Sequence, residues 1–212
     1  LILQFMGNYF FETLNIKCHN NKMKNKEFKL KKGKKVITLN LLYFEETDKE
    51  ILKNSFNMWK TLSKTLKKDL HATRSVNLPE ALSEAIVCLD LKLGKLISHV
   101  GSNFSTSFDC FDERTKKRIQ VKGSSSSGPS QFGPRSEQDI YYFIDFFADK
   151  KIDGKYKIYE ISNAQIDNTM VNEKETVKQK AQKTGQRPRF DVRAKIVEPL
   201  KLKPIFEGDL SN

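Results

Sequence analysis

The order of the apolar patterns constrains the fold of this 212-residue chain more than any other feature. Two stretches in its first half repeat apolar residues at helical spacing, and a series of short segments rich in β-branched and aromatic residues follows them. Helices followed by a meander of strands and then a later helix are typical of one α/β or α+β domain. We therefore expect a central mixed β-sheet flanked by helices.

The predicted helices are marked by their caps and their apolar stripes. Thr47 and Glu50 have the spacing of a capping box, and most of the stripe that follows should be core (Leu52, Phe56, Trp59, Leu62, Leu66, Leu70). A second helix is predicted from Asn77, with Pro79 in its first turn, to Gly94. Residues 172–184 predict a further, polar helix. The strand-like segments are 36–44, 95–100, 103–111, 117–123, 140–147 and 155–161.

The positive charge is concentrated at the start of the chain. The formal net charge is +12, and residues 1–36 contain nine lysines against two glutamates. A lysine run of this kind is typical of a flexible solvated tail, or of a segment that holds phosphates without sequence preference. We therefore predict a basic, flexible extension over residues 1–35 and one domain over residues 36–212.

Several classes of protein are excluded by what the sequence does not contain. The three cysteines, Cys18, Cys88 and Cys110, are too scattered for a zinc ribbon or a disulfide scaffold, which favours a reducing, cytoplasmic location. No stretch approaches the ~18 apolar residues of a membrane span. There is no phosphate-binding glycine motif and no pairing of His with a Ser or Cys nucleophile, so ATP-driven motors and triad hydrolases are disfavoured.

One constellation suggests catalysis. If residues 112–117 form the turn of a hairpin, Asp109 lies roughly opposite Gln120. Side chains alternate along strands, so Asp109, Gln120 and Lys122 should share one face, backed by apolar residues on the other. Such a set suits phosphodiester cleavage. Oxygen ligands bind Mg²⁺, which activates water, and a lysine stabilises the developing charge. The spacing alone is also compatible with a solvated hairpin face.

Other residues are candidates for the same site. Glu80 and Glu84, one turn apart on the second predicted helix, are candidates for a second metal-binding carboxylate, although Glu80 also suits a capping role. A Ser-rich loop with Gly and Pro follows Lys122, and its backbone can approach a large ligand. Arginine pairs with guanine edges in the major groove, so three arginines and two loop serines are candidates for DNA binding (Arg135, Arg187, Arg189, Ser125, Ser126).

The chain resembles a known family at these residues. The segments NLPEALSEAIVC, SFDCFDERTKKRIQVKGSSS, SQFGPRSEQDIYYFIDFF and AQKTGQRPRFDV together look like the small type II restriction endonucleases of the Bsp6I type, within the PD-(D/E)xK nuclease superfamily. The resemblance covers about residues 36–205. It implies that Asp109 binds metal, that Lys122 is catalytic and that Glu84, in preference to Glu80, is the helix glutamate. Gln120 stands where the superfamily usually has Asp or Glu, and Phe108 where it has Pro.

The combined interpretation is a Mg²⁺-dependent type II restriction endonuclease. It would hydrolyse double-stranded DNA at a short GC-rich interrupted palindrome similar to GCNGC and leave 5′-phosphate ends. A palindrome favours a homodimer, and the resemblance implies a partner DNA methyltransferase. Two alternatives remain open at this point. One is a repair or junction nuclease on the same core, and the other is a non-catalytic DNA-binding protein on a decayed nuclease scaffold.

Overall fold

An eight-stranded mixed sheet forms the centre of the protein in the computed structural model, which describes residues 24–32, 35–73, 76–100, 108–130, 132 and 138–211. The strands lie side by side in chain order, and neighbours are antiparallel except for the parallel pair β5 and β6. The strands are β1 (Lys24–Lys32), β2 (Lys35–Tyr43), β3 (Gly94–Val100), β4 (Cys110–Asp112), β5 (Lys117–Ser124), β6 (Ile140–Asp145), β7 (Lys155–Ser162) and β8 (Phe206–Asp209).

Within the described ranges, four α-helices flank this sheet. They are α1 (Lys49–Lys68), α2 (Glu80–Leu91), α3 (Asn163–Asn168) and α4 (Val177–Thr184). A 3-10 turn (Glu46–Asp48) precedes α1, and a π-helical turn (Arg193–Val197) follows α4. The predicted α/β architecture, a mixed sheet with flanking helices, is therefore confirmed. No helix in the described part of the chain is both long and apolar enough to cross a membrane.

Two large apolar clusters cover the central strands, and strand alternation sorts the side chains between them. Ile119 and Val121 of β5 belong to the cluster that also contains Phe56 of α1 and Ile86 of α2. The second cluster contains Tyr141 and Phe143 of β6 together with residues of α3, α4 and the π-helical turn. A third, smaller cluster lies under the β1–β2 hairpin. Gln120 and Lys122 alternate with Ile119 and Val121, so their side chains start from the opposite face of β5.

The N-terminal hairpin requires a correction to the predicted domain boundary. Strand β1 pairs with β2 along its whole length, from Lys24 opposite Tyr43 to Lys32 opposite Lys35. Phe28 and Leu30 pack on the third cluster, so this part of the lysine-rich segment has an apolar face that the count of charges concealed. Residues 24–32 therefore belong to the sheet and not to an extension. The rest of the predicted extension, residues 1–23, lies outside the described residues.

The helix ends also differ from the prediction. The capping box that precedes α1 is formed by Glu45 and Asp48, and not by Thr47 and Glu50. Helix α2 starts after Pro79 and ends at Lys92, whose left-handed backbone stops the helix before Gly94 enters β3. Along α1, the residues that precede Leu62 in the stripe are buried, but Leu62 and Leu70 are 51% and 67% exposed. The second half of α1 therefore extends beyond the sheet.

Candidate active site

The candidate site lies where the β4–β5 hairpin opens. Its turn falls within the predicted residues, and Cys110 pairs with Ile119, so Asp109 stands beside Gln120 as predicted. The backbone N–H of Asp109 donates to the carbonyl of Ile119 at 2.8 Å. At the next ladder position the pairing changes, because the N–H of Val121 donates to Oδ2 of the Asp109 carboxylate, also at 2.8 Å. The aspartate side chain thus takes the place of a strand backbone.

Because the Asp109 carboxylate, and not a strand backbone, accepts the N–H of Val121, groups from both sides of the sheet can meet here. Among the described residues, no strand pairs with β5 on its β4 side beyond Ile119. Groups from α2, on one face, and from Gln120 and Lys122, on the other, can therefore approach Asp109 around an open edge. The simple sharing of one face that the alternation predicted is replaced by convergence at this edge.

The electrostatic environment of Asp109 shows which charges approach it. Burial raises the pKa of this carboxyl from 3.8 to about 6, while the hydrogen bond from Val121 acts in the opposite direction. The carboxylate of Glu84 raises the pKa further, the ammonium of Lys122 lowers it, and Glu80 adds a smaller upward contribution. Asp109, Glu84 and Lys122 thus form one interacting group, to which Glu80, exposed at the start of α2, belongs more weakly. This ordering supports the preference for Glu84 over Glu80.

The amide of Gln120 is the unusual member of the site. Its Oε1 is buried and has no hydrogen-bond partner. A buried polar atom without a partner is costly, which makes such an atom a candidate for binding a missing ligand. The solvated face that the sequence also allowed is therefore not what surrounds this oxygen.

These donors fit a hard divalent cation. Carboxylate and amide oxygens are the ligands that Mg²⁺ accepts, and the carboxylates of Asp109 and Glu84 with the orphaned Oε1 of Gln120 supply them. Among the described residues there is no cluster of three or more His, Cys, Asp or Glu side chains that could hold a metal.

A close contact fixes α2 over β5 beside this site. Ser83, next to Glu84, is buried, and a Cβ built on Gly123, next to Lys122, would lie 2.3 Å from the Ser83 Oγ. Only glycine permits this approach of helix to strand. The contact therefore sets the position of the glutamate relative to the lysine.

Replacing Gly123 with alanine should lower the free energy of unfolding by about 1–3 kcal/mol, because the added methyl group overpacks the contact with Ser83. Chemical denaturation of Gly123→Ala measures the loss. The Ser83→Ala change alone should be nearly neutral, since the Ser83 Oγ has no partner, and in the double variant it should restore part of the stability. A Gly123→Ala protein as stable as the parent would contradict this account.

One charged residue at the site was missed by the sequence reasoning. Lys95 of β3 forms an ion pair with Glu84, and their side chains are 18% and 17% exposed. Lys95 pairs with Cys110, and the N–H of Leu96 donates to the carbonyl of Asp109 at 2.8 Å. No local motif in the sequence marks Lys95. Its place depends on the pairing of β3 with β4, which only the tertiary structure supplies.

The two segments predicted to bind DNA are brought together. The loop after β5 is joined to residues 190–191 by a bridge between Ser130 and Phe190 and by the N–H of Gly128, which donates to Asp191 at 3.1 Å. The ring of Phe132 stacks on that of Phe190 with centroids 4.8 Å apart. The loop that follows β5 and the arginine-containing segment thus form one surface.

The individual DNA-binding candidates are placed differently on this surface. Ser126 and Arg189 are exposed, and Ser125 is half-buried. Arg187 is only 14% exposed, donates to the hydroxyl of Tyr141 at 2.5 Å and lies 3.5 Å from Asp167. These contacts hold its guanidinium against the protein, and contact with DNA stays a prediction for all four. Arg135 lies outside the described residues.

Comparison with known proteins gives the family of this chain. The family model described as Bsp6I restriction endonuclease matches residues 44–199. The type II restriction enzyme Bsp6I of Bacillus sp. (strain RFL6) is 27% identical over 161 residues, which are 74% of this chain and 84% of the relative. No solved structure matches. The matched residues include the whole site from Glu80 to Lys122, and the chain belongs to the Bsp6I restriction endonuclease family.

Proposed function

We propose that the protein is a Mg²⁺-dependent restriction enzyme of the PD-(D/E)xK type that cuts both strands of DNA at a GC-rich interrupted palindrome similar to GCNGC and leaves 5′-phosphate ends. The observation that carries the proposal is the buried Asp109 carboxylate, held by the N–H of Val121 and influenced by the charges of Glu84 and Lys122, with the orphaned Oε1 of Gln120 on the neighbouring strand. Family membership supports DNA as the substrate. The cation, the recognised sequence and the 5′-phosphate ends are what the resemblance to the family implies.

Each residue has a distinct part in this proposal. Asp109, Gln120 and Glu84 would hold the cation, which when bound neutralises charge on the phosphate and lowers the pKa of a water molecule. The hydrogen bond from Val121 orients the Asp109 carboxylate and leaves its Oδ1 for this purpose. Lys122 places an ammonium beside the same carboxylate, where it can orient the attacking water and stabilise the charge that develops on the phosphorus oxygens.

The assembly and the partners follow from the substrate. A two-fold palindrome is matched by a two-fold protein, so we propose a homodimer with one active site for each strand. The loop residues Ser125 and Ser126 and the arginines Arg135, Arg187 and Arg189 are proposed to contact the duplex. A DNA methyltransferase of the same specificity would protect the host, since free cleavage of its own sites would be lethal.

Digestion of unmethylated plasmid DNA tests the proposal. With Mg²⁺ we expect a discrete set of fragments with 5′-phosphate ends, and with EDTA we expect intact plasmid. Ends ligated into a sequencing library give the recognised bases. Random nicking, or cleavage confined to branched DNA, would favour a repair nuclease. DNA binding without cleavage under any divalent ion would favour a non-catalytic binding protein, an outcome that Gln120 makes worth testing.

A further inference from the structure

The site contains a second ammonium group that the proposed reaction does not use. Lys95 pairs with Glu84, and both side chains are mostly withdrawn from solvent. The pair is therefore screened less than the surface pairs of this protein, such as Lys49 with Glu46, whose side chains are 49% and 80% exposed. A fixed positive charge thus already occupies the carboxylate that the proposed function assigns to the cation.

Lys95 lies close to the backbone of Asp109 as well as to Glu84. It lies on β3, opposite the residue that follows Asp109, and the neighbouring Leu96 is hydrogen-bonded to the Asp109 backbone. Lys122, on β5, acts electrostatically on a different carboxylate, that of Asp109. An ammonium in contact with a ligand carboxylate opposes a divalent ion in two ways, because it repels the ion and because it engages the ligand.

We propose that Lys95 is a positioning residue that acts as an internal counter-ion: it holds Glu84 in the DNA-free protein, weakens the binding of divalent cations there, and releases Glu84 when a DNA phosphate becomes its partner. This inference rests on the proposed function and deepens it. Cation binding and DNA binding are then coupled, since whatever draws Lys95 away from Glu84 strengthens the cation site.

A purely structural ion pair predicts a different result. Removing Lys95 would then leave Glu84 poorly paired, lower the stability and distort the site, so cation affinity would fall or stay unchanged. The counter-ion role predicts that cation affinity rises. The Lys95→Gln variant removes the charge and keeps a hydrogen-bond donor for Glu84, and Lys95→Arg keeps the charge. Thermal unfolding of each variant reports whether the fold is retained.

Calorimetric titration of the full chain with Ca²⁺, without DNA and then with a short duplex containing GCNGC, tests the inference. We expect Lys95→Gln to bind Ca²⁺ about tenfold more tightly than the parent without DNA, and Lys95→Arg to bind like the parent. We also expect the duplex to tighten Ca²⁺ binding in the parent and to do so much less in Lys95→Gln. Lys49→Gln, which breaks the exposed pair, serves as the matched control and should behave like the parent.

The outcomes separate this inference from the proposed function. Unchanged or weaker Ca²⁺ affinity in Lys95→Gln, or unchanged coupling to the duplex, overturns the counter-ion role. If that happens while Asp109→Asn abolishes Ca²⁺ binding, the proposed metal site stands. If Asp109→Asn binds Ca²⁺ as the parent does, the proposed metal site fails, and the counter-ion role fails with it.

Discussion

The Lys122→Met variant should bind duplex DNA as the parent does and cleave it at least about 10³-fold more slowly. Methionine keeps the apolar stem of the half-buried side chain but removes the ammonium, so packing on β5 is preserved. The loss falls on the transition state, where charge develops beside this group, and not on the ground-state complex. Single-turnover cleavage rates and gel-shift affinities measured on the same preparation separate the two effects.

Lys117→Met is the matched control for this change. Lys117 is an exposed lysine at the start of the same strand, five residues before Lys122 and on the far side of the hairpin pairing. Its replacement removes the same net charge and should leave the cleavage rate close to that of the parent. A parent-like rate in Lys122→Met would remove this residue from the proposed chemistry. An equal loss in both variants would indicate a general effect of charge on DNA binding.

The Asp109→Asn variant should be inactive and, in EDTA, more stable than the parent. The folded pKa of Asp109 is about 6 against an ordinary value of 3.8, so at neutral pH the fold contains a buried carboxylate that would be better solvated in the unfolded chain. Asparagine removes that charge and still accepts the hydrogen bond from Val121. We expect a gain of about 1–3 kcal/mol at pH 8.

The raised pKa of Asp109 also determines how the free energy of unfolding changes with pH. Because the folded pKa is raised, Asp109 should contribute more to the stability of the parent as the pH falls from 7 through 6 towards 4, and that contribution should be lost as the pH rises again. Asp90 behaves in the same way, since burial raises its pKa to about 6 while the hydroxyl of Tyr156 donates to it at 2.6 Å. The stability of Asp109→Asn should therefore depend less steeply on pH than that of the parent, but it should still depend on pH.

Urea denaturation in EDTA at several pH values measures the effect. Asp90→Asn is the useful comparison, because it should stabilise the protein in the same pH range and leave cleavage intact. A less stable Asp109→Asn protein at pH 8 would mean that the carboxylate contributes to folding and not only to function. Residual cleavage near the parent rate would exclude Asp109 from metal binding.

The sequence predicted the β4–β5 hairpin of the site correctly because the turn and the two strands that it joins are adjacent in the chain. A turn of fixed length sets the register, so the sequence alone predicts Asp109 beside Gln120. The prediction that Asp109 shares one face of the hairpin with Gln120 and Lys122 was less successful. Alternation assumes that Asp109 continues a strand regularly, whereas its carboxylate turns to the backbone of Val121. A side chain that replaces a ladder hydrogen bond leaves no periodic signal.

The remaining differences come from long-range pairing. Lys95 reaches the site through the β3–β4 ladder, and the hairpin of residues 24–43 joins the sheet through β2 and β3. In both places the partners that decide the outcome are distant in sequence, and around residues 24–35 lysines also dominate the local composition. Phe28, for example, packs its ring on that of Phe111, with centroids 4.9 Å apart. Charge counting over the first residues could not detect such a partner.

The parallel pairing of β5 and β6 has a mechanical consequence for the enzyme. Parallel neighbours cannot be joined by a tight turn, so the chain must travel from one end of the sheet to the other after Ser124. On that path it is fastened to Phe190 by Ser130, only eight residues after Lys122. A duplex bound to the arginine-bearing segment would therefore act on Lys122 through this short stretch of chain. In the proposed function, recognition of the correct bases would thereby be coupled to the positioning of Lys122.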